Sequence, residues 1–208
     1  VYRTRLMPDG KWWAVENLRY ALPGAKAYNN DTSYVPRYGY LYNADSFAGA
    51  MPSGTHVPTC AEWGELFKAC GATEKLWSWG EYNWNGGNFI PKLCSVEGWD
   101  SELFKDVCYD SLFFDILPSG VNYPGSGDAY QGGPITNNSQ QGFYFATGNT
   151  YTTIYSNGGR ANSAYIYSYQ RYQPGNAVSN YQEYVAVRFI VDSGNVVDPD
   201  KTAYHYNT

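Results

Sequence analysis

Charge is what this chain has least of. Lys, Arg, Asp and Glu together make up 16% of its 208 residues, and the formal net charge is -5. Its 14 Lys and Arg are spread along the length, so it lacks the clustered cations that neutralise phosphates, and neither nucleic acid nor another polyanion is expected as a partner. Long apolar runs are absent too. Nothing approaches the ~20 consecutive apolar residues that span a bilayer, so no membrane insertion by this chain is expected. The opening VYRTRLMPDG has no apolar segment resembling an export signal, and any such signal is expected to have been removed. Cysteine is sparse: Cys60, Cys70, Cys94 and Cys108 form no CxxC pair and have no zinc-finger spacing to His56 or His205, which argues against a structural metal or other cofactor. Two disulfides and four buried thiols both remain compatible with that count. There is no nucleophile elbow, phosphate loop, HExxH or Cys with a His partner.

In place of charge the chain has aromatics, 18% of all residues, with 22 Tyr and 7 Trp, accompanied by Asn, Ser, Thr and Gly. Tyr presents a large amphipathic face with few rotamers to freeze, and Ser, Gly and Asn add adaptable hydrogen bonding, the composition of binding loops. The same residues also fill β-rich cores and turns. The length fits one large domain, expected over residues 1–192, with 193–208 as a C-terminal tail or extension, or a strand given to a neighbouring subunit.

The clearest local signal is Thr59-Cys60-Ala61-Glu62 after Pro58, a capping box that starts a helix at Cys60. Trp63, Leu66, Phe67 and Cys70 repeat at helical spacing, and Gly71 stands where a left-handed cap ends the helix. At ~1.5 Å per residue Cys60 and Cys70 lie about 15 Å apart, so a bridge from either must run to Cys94 or Cys108. A second helix is expected before Trp77 or within Ser101–Cys108. Strands are expected over Lys11–Glu16, Gly39–Asn43, Phe113–Leu117, Gly142–Ala146, Ala164–Gln170 and Val185–Val191. Asn85-Gly86-Gly87, Pro124-Gly125-Ser126-Gly127 and Asn157-Gly158-Gly159 read as turns. The sum is an α+β domain with short antiparallel strands, one or two helices and long loops.

An ordered set of short motifs runs from residue 9 to 191: Asp9-Gly10-Lys11-Trp12-Trp13, Glu16-Asn17-Leu18, Tyr38-Gly39-Tyr40-Leu41-Tyr42, Pro52-Ser53-Gly54-Thr55-His56-Val57-Pro58-Thr59 with Glu62-Trp63 and Leu66, Lys92-Leu93, Gly98-Trp99-Asp100, Phe114 with Leu117-Pro118-Ser119-Gly120, and Val187-Arg188. This set resembles the Fibrobacter succinogenes major paralogous domain, a family of bacterial surface proteins, and the resemblance implies a C-type-lectin-like fold. The chain departs from that family between Gly142 and Tyr184, where Trp-Ser motifs are usual. There Thr150–Tyr184 carries 16 Tyr, Asn or Ser in 35 residues, with only Arg160, Arg171 and Glu183 charged. Tyr, Asn, Ser and Asp are what adenine-directed changes make of Asn codons. The segment therefore resembles the variable proteins of diversity-generating retroelements, which display mutated residues on a C-type-lectin-like scaffold.

Three chemistries compete for a site. Asp106, Asp110 and Asp115 could supply the carboxylate pair of a glycoside hydrolase, but Asp residues among Tyr and Ser more often form turns, and no catalysis is expected. His56 is expected to be a buried, hydrogen-bonded His. A calcium-held sugar site would need a triplet that Gln173-Pro174-Gly175 only approaches, and residues 148–180 contain no Asp or Glu. Direct recognition by side chains remains. On a strand, Tyr165, Tyr167, Tyr169 and Arg171 project from one face, with Tyr172, Asn176, Asn180 and Tyr181 widening the patch, residue types enriched in binding hot spots. The chain is expected to be a non-catalytic receptor- or adhesin-type module for a protein or glycan ligand on another cell or particle, at the cell surface, outside the cell or on a phage. The alternative is a pilus or phage tail-fibre subunit that uses the surface for assembly.

Overall fold

The computed structural model describes residues 2–42, 50–76, 82–85, 89–99, 108–119, 141–146, 150–155, 163–167, 184–194 and 202–205. In chain order these form β1 (Tyr2–Leu6), β2 (Trp12–Ala14), β3 (Lys26–Ala27), short 3-10 turns at Tyr28–Asn30 and Thr32–Tyr34, α1 (Val35–Tyr38), β4 (Tyr40–Tyr42), β5 (Thr55–His56), α2 (Cys60–Ala69), β6 (Thr73–Leu76), β7 (Tyr82–Asn85), α3 (Phe89–Leu93), β8 (Gln141–Ala146), β9 (Thr150–Tyr155), β10 (Ser163–Tyr167), β11 (Val185–Ala186), β12 (Ile190–Val191) and β13 (Thr202–His205). The class is α+β. One sheet has five antiparallel strands in the order β13-β1-β2-β12-β5. The other has eight in the order β3-β4-β11-β8-β9-β10-β7-β6, antiparallel except where β11 runs parallel to β8.

Helix α2 forms as its sequence dictates. Thr59 Oγ1 accepts the Glu62 amide at 3.1 Å while the Glu62 carboxylate accepts the Thr59 amide at 2.8 Å, satisfying two donors the first turn would otherwise strand. At the far end Gly71 adopts φ +102°, and the amides of Gly71 and Ala72 return to Lys68 O and Phe67 O in a Schellman closure. The helix buries Trp63, Leu66 and Phe67 against Phe89, Ile90 and Leu93 of α3, Trp13 of β2 and Ala186 of β11. A second cluster gathers Tyr2, Leu18, Tyr42, Val57, Val187 and Phe189. Adjacent residues divide between the two clusters: Trp13 and Ala14, Leu41 and Tyr42, Ala186 and Val185, Ile190 and Val191. Side chains alternate across a strand, so these strands are buried on both faces.

Several expectations are corrected. Phe113–Leu117 is no strand: Phe113 and Asp115 sit at φ +52° and +57°, outside the extended region, and only Ile116 bridges to Cys94. Thr73–Leu76, before Trp77, is a strand because it finds β7 as its partner. The Ser101–Cys108 alternative falls outside the described residues apart from Cys108. Val185–Val191 divides into β11 and β12, which belong to different sheets and are joined by Val187–Phe189. Helix α3, five residues with Pro91 inside, was too short to carry a periodic signal. Thr202–His205, in the segment read as a tail or a donated strand, pairs with β1 of its own chain from Tyr2↔His205 to Arg5↔Thr202. All four cysteines are thiols, and Cys70, Cys94 and Cys108 are buried. The Pro124–Gly127 turn lies outside the described residues, as do Gly86-Gly87 and Asn157-Gly158-Gly159, the last of these between the antiparallel partners β9 and β10.

Candidate ligand-binding surface

Of the eight positions expected to bind ligand, the structure describes two. Tyr165 and Tyr167 lie in β10; Tyr169, Arg171, Tyr172, Asn176, Asn180 and Tyr181 fall outside the described residues, as does Gln173-Pro174-Gly175. Strand β10 is held on both edges, by β9 with Tyr165↔Thr153 and Tyr167↔Tyr151, and by β7 with Tyr165↔Asn83. Strand β9 in turn pairs β8 with Thr153↔Phe143 and Tyr151↔Phe145. Residues paired across a ladder share a face. Positions 143, 145, 151, 153, 165 and 167 therefore lie on one face and positions 144, 152, 154, 164 and 166 on the other. Tyr144 is the register partner of Ala186, which belongs to the cluster built on α2. The positions of Tyr165 and Tyr167 are thus on the face of the sheet opposite the one Ala186 presents to α2.

This sheet is braced by a polar centre around Arg188, fully buried between β11 and β12. Its Nε donates to Asn17 Oδ1 at 2.6 Å, Nη1 to Ala14 O at 3.0 Å and Phe114 O at 2.9 Å, and Nη2 to Asp115 O at 2.7 Å, while the guanidinium lies over the Phe114 ring. Asn17 passes the connection on by donating to Tyr38 O at 2.8 Å. Beside it Gly39, at φ +72°, is packed so closely that a Cβ would stand 2.5 Å from Leu18 O. A buried cation is tolerable only when its donors are met, and here the Asn17 amide oxygen and three backbone carbonyls accept from it. Asn17, Gly39, Phe114 and Arg188 all belong to the motifs that carried the family resemblance. Sequence reading gave them no role, because their convergence spans up to 171 residues of chain.

The carboxylates read as a possible catalytic pair are tied into the loop at 108–119. Asp110 Oδ1 accepts the amides of Phe114 at 2.8 Å and Asp115 at 3.1 Å. Asp115 is paired with Arg37, which also donates to Ser95 Oγ at 2.9 Å. Burial lifts the Asp110 pKa to about 6, the two amides opposing it. For Asp115 burial also pushes upward, but the Arg37 hydrogen bond and charge prevail and hold it below the usual value. Asp106 falls outside the described residues. His56 is not buried, its side chain being 38% exposed, and it bridges Asp192 at 2.6 Å and Glu62 at 3.1 Å. Burial lowers its pKa, yet hydrogen bonds to the two carboxylates more than offset this and leave it raised.

Sequence reading also missed an aromatic group in the first forty residues. Tyr28 and Tyr38 stack at 4.2 Å, and Tyr34, 39% exposed, packs on both at 5.3 and 6.0 Å. The preceding Asn29 and Asn30, both at φ +54°, supply the bend, and the clustering of Tyr with turn-forming Asn was the available signal. Phe113, at the tip of the 108–119 loop, is 62% exposed with the Arg5 guanidinium 4.7 Å from its ring. No helix among the described residues is long and apolar enough to cross a membrane. Neither protein-family models, nor curated proteins, nor solved structures match this chain.

Proposed function

We propose that the chain is a non-catalytic binding module on a C-type-lectin-like scaffold, which recognises a protein or glycan on another cell or particle through the Tyr-, Asn- and Ser-rich surface of its C-terminal third. The observation that carries this reading is the register of β8, β9 and β10, which gathers positions 143, 145, 151, 165 and 167 on the face away from α2. Rows of aromatics on paired strands lose little conformational entropy when a ligand arrives. The scaffold part of the reading draws on the contacts among the family-like motifs: Trp13 donates to Asp9 at 2.9 Å and packs on Trp63, Glu62 meets His56, and Arg188 meets Asn17. Diversification by a retroelement belongs to the same proposal, since ladder hydrogen bonds are made by the backbone and tolerate exchange of Tyr, Asn and Ser on one face. A display module of this kind works at the cell surface, outside the cell or on a phage particle.

The test is a glycan array together with a panel of surface proteins, run on the intact chain and on the Tyr165→Ser/Tyr167→Ser double variant. Binding that the double substitution weakens at least about tenfold, with unchanged melting temperature, supports the reading. A ligand bound equally well by both forms removes the surface from recognition. Sequencing the gene and its neighbourhood tests diversification: fixed codons for Thr150–Tyr184, without a nearby near-copy differing at adenines, would end that part of the proposal. The alternative, a pilus or phage tail-fibre subunit, uses the same surface for assembly, and concentration-dependent self-association would favour it; Thr202–His205, in the C-terminal segment, is paired with β1.

A further inference from the structure

We infer that Cys94 and Cys108 are a paired redox site, which closes to a disulfide by exchange with a low-molecular-weight disulfide such as oxidised glutathione. Three features of the fold bring them together. Cys94 lies one residue beyond α3, its amide closing on Ile90 O at 2.9 Å, and it bridges Ile116 of the 108–119 loop. Directly after Cys108, the amides of Tyr109 and Asp110 both donate to Pro91 O at 3.0 Å, which pins the start of that loop against α3. Both side chains are buried in the α2 core cluster, on the two segments that these backbone bonds hold together. Cys60 and Cys70, at opposite ends of α2, are separated by the length of that helix.

The exchange proceeds in two displacements. Cys108 retains 8% exposure and Cys94 none, so Cys108 is the entry point. Its thiolate attacks one sulfur of oxidised glutathione, forming a mixed disulfide and expelling one glutathione thiolate. The Cys94 sulfur then attacks the Cys108 sulfur and expels the second glutathione, whose departing thiolate takes up the Cys94 proton. The protein loses two electrons and two hydrogens, and the small disulfide gains them as two thiols. Burial holds the Cys94 thiol well above its ordinary pKa, which makes the second displacement the slow one. Closure fastens the end of α3 to the start of the loop whose Phe114 and Asp115 carbonyls receive Arg188. It constrains a 15-residue loop of the unfolded chain, an effect expected to raise the melting temperature by about 5 to 10 °C.

The full chain, purified with all thiols reduced, is incubated with oxidised glutathione, both folded and during refolding from denaturant in a glutathione buffer. Intact mass and a non-reducing peptide map are then read. The expected result is loss of two hydrogens, a single Cys94–Cys108 crosslinked peptide, reversal by dithiothreitol, and the same bridge in Cys60→Ser/Cys70→Ser. Persistence of four free thiols in both arms, a stable glutathione adduct that never resolves, or a bridge to Cys60 or Cys70 overturns it.

Discussion

In the eight-stranded sheet, β4 and β11 carry the junction of the two core clusters, while β8 and β9 carry its longest ladder. At β4 and β11 both faces are packed: Leu41 and Ala186 enter one core cluster, Tyr42 and Val185 the other. Strands β8, β9 and β10 are joined by six consecutive residue pairs between β8 and β9 and four between β9 and β10. A packed core constrains residue identity, because a change of one methylene is felt. A ladder is made by the backbone, so under the proposed function β8, β9 and β10 are the part of the sheet expected to accept exchange of Tyr, Asn and Ser. The proposed function therefore expects substitution to be resisted at β4 and β11 and accepted at β8, β9 and β10.

The sharpest way to break this comparison is at Arg188. Arg188→Met keeps the bulk but removes the donors to Ala14 O, Phe114 O, Asp115 O and Asn17, and is expected to cost about 3 to 5 kcal/mol, read by urea denaturation. A cost near zero would mean that the polar centre does not specify the scaffold end. At the other end, Tyr165→Ser/Tyr167→Ser is expected to lose at least about 1.4 kcal/mol of binding, with stability within about 1 kcal/mol of the parent. Thr59→Ala removes one half of the capping box and is expected to cost about 1 kcal/mol, measured by thermal melting.

The smallest effect is that of pH on Asp110. Its folded pKa is raised to about 6, so its contribution favours the folded state below the unfolded value of about 4 and is lost as pH rises through about 6. Asp110→Asn keeps an oxygen for the Phe114 and Asp115 amides, and is expected to flatten stability between about pH 4 and 6 by under about 1 kcal/mol once solvent screening is allowed for. An unchanged pH profile would place that carboxyl in a more open setting.

What could be read in advance follows the same division. Helix α2 was legible to its caps because Thr59, Glu62 and Gly71 are local signals, and β2, β4, β8 and β10 were legible from alternation and aromatic content. Phe113–Leu117 was misread as a strand because its composition is apolar while Phe113 and Asp115 adopt positive φ, which no side-chain pattern announces. The division of Val185–Val191 was hidden because Arg188 is exempted from alternation by partners more than 70 residues away. Strand β13 has no hydrophobic pattern, and its pairing with β1 spans nearly the whole chain. For Tyr165 and Tyr167, alternation in the sequence already put the two positions on one face, and register adds which face it is, the one opposite Ala186.

The lateness of β12 also has a temporal side. Ala14 and Leu18 close their backbone hydrogen bonds on Phe189 and Val187, and Trp13 pairs with Ile190. A ribosome adding about 5 to 20 residues per second needs roughly 10 to 35 s to travel from one group to the other. Throughout that interval the first strands are synthesised yet cannot be completed, and their tryptophans stay available to chaperones and to neighbouring nascent chains. Such long-range closure also predicts slow refolding in isolation. A few residues near position 190 therefore set when the free edge of β2 can be closed.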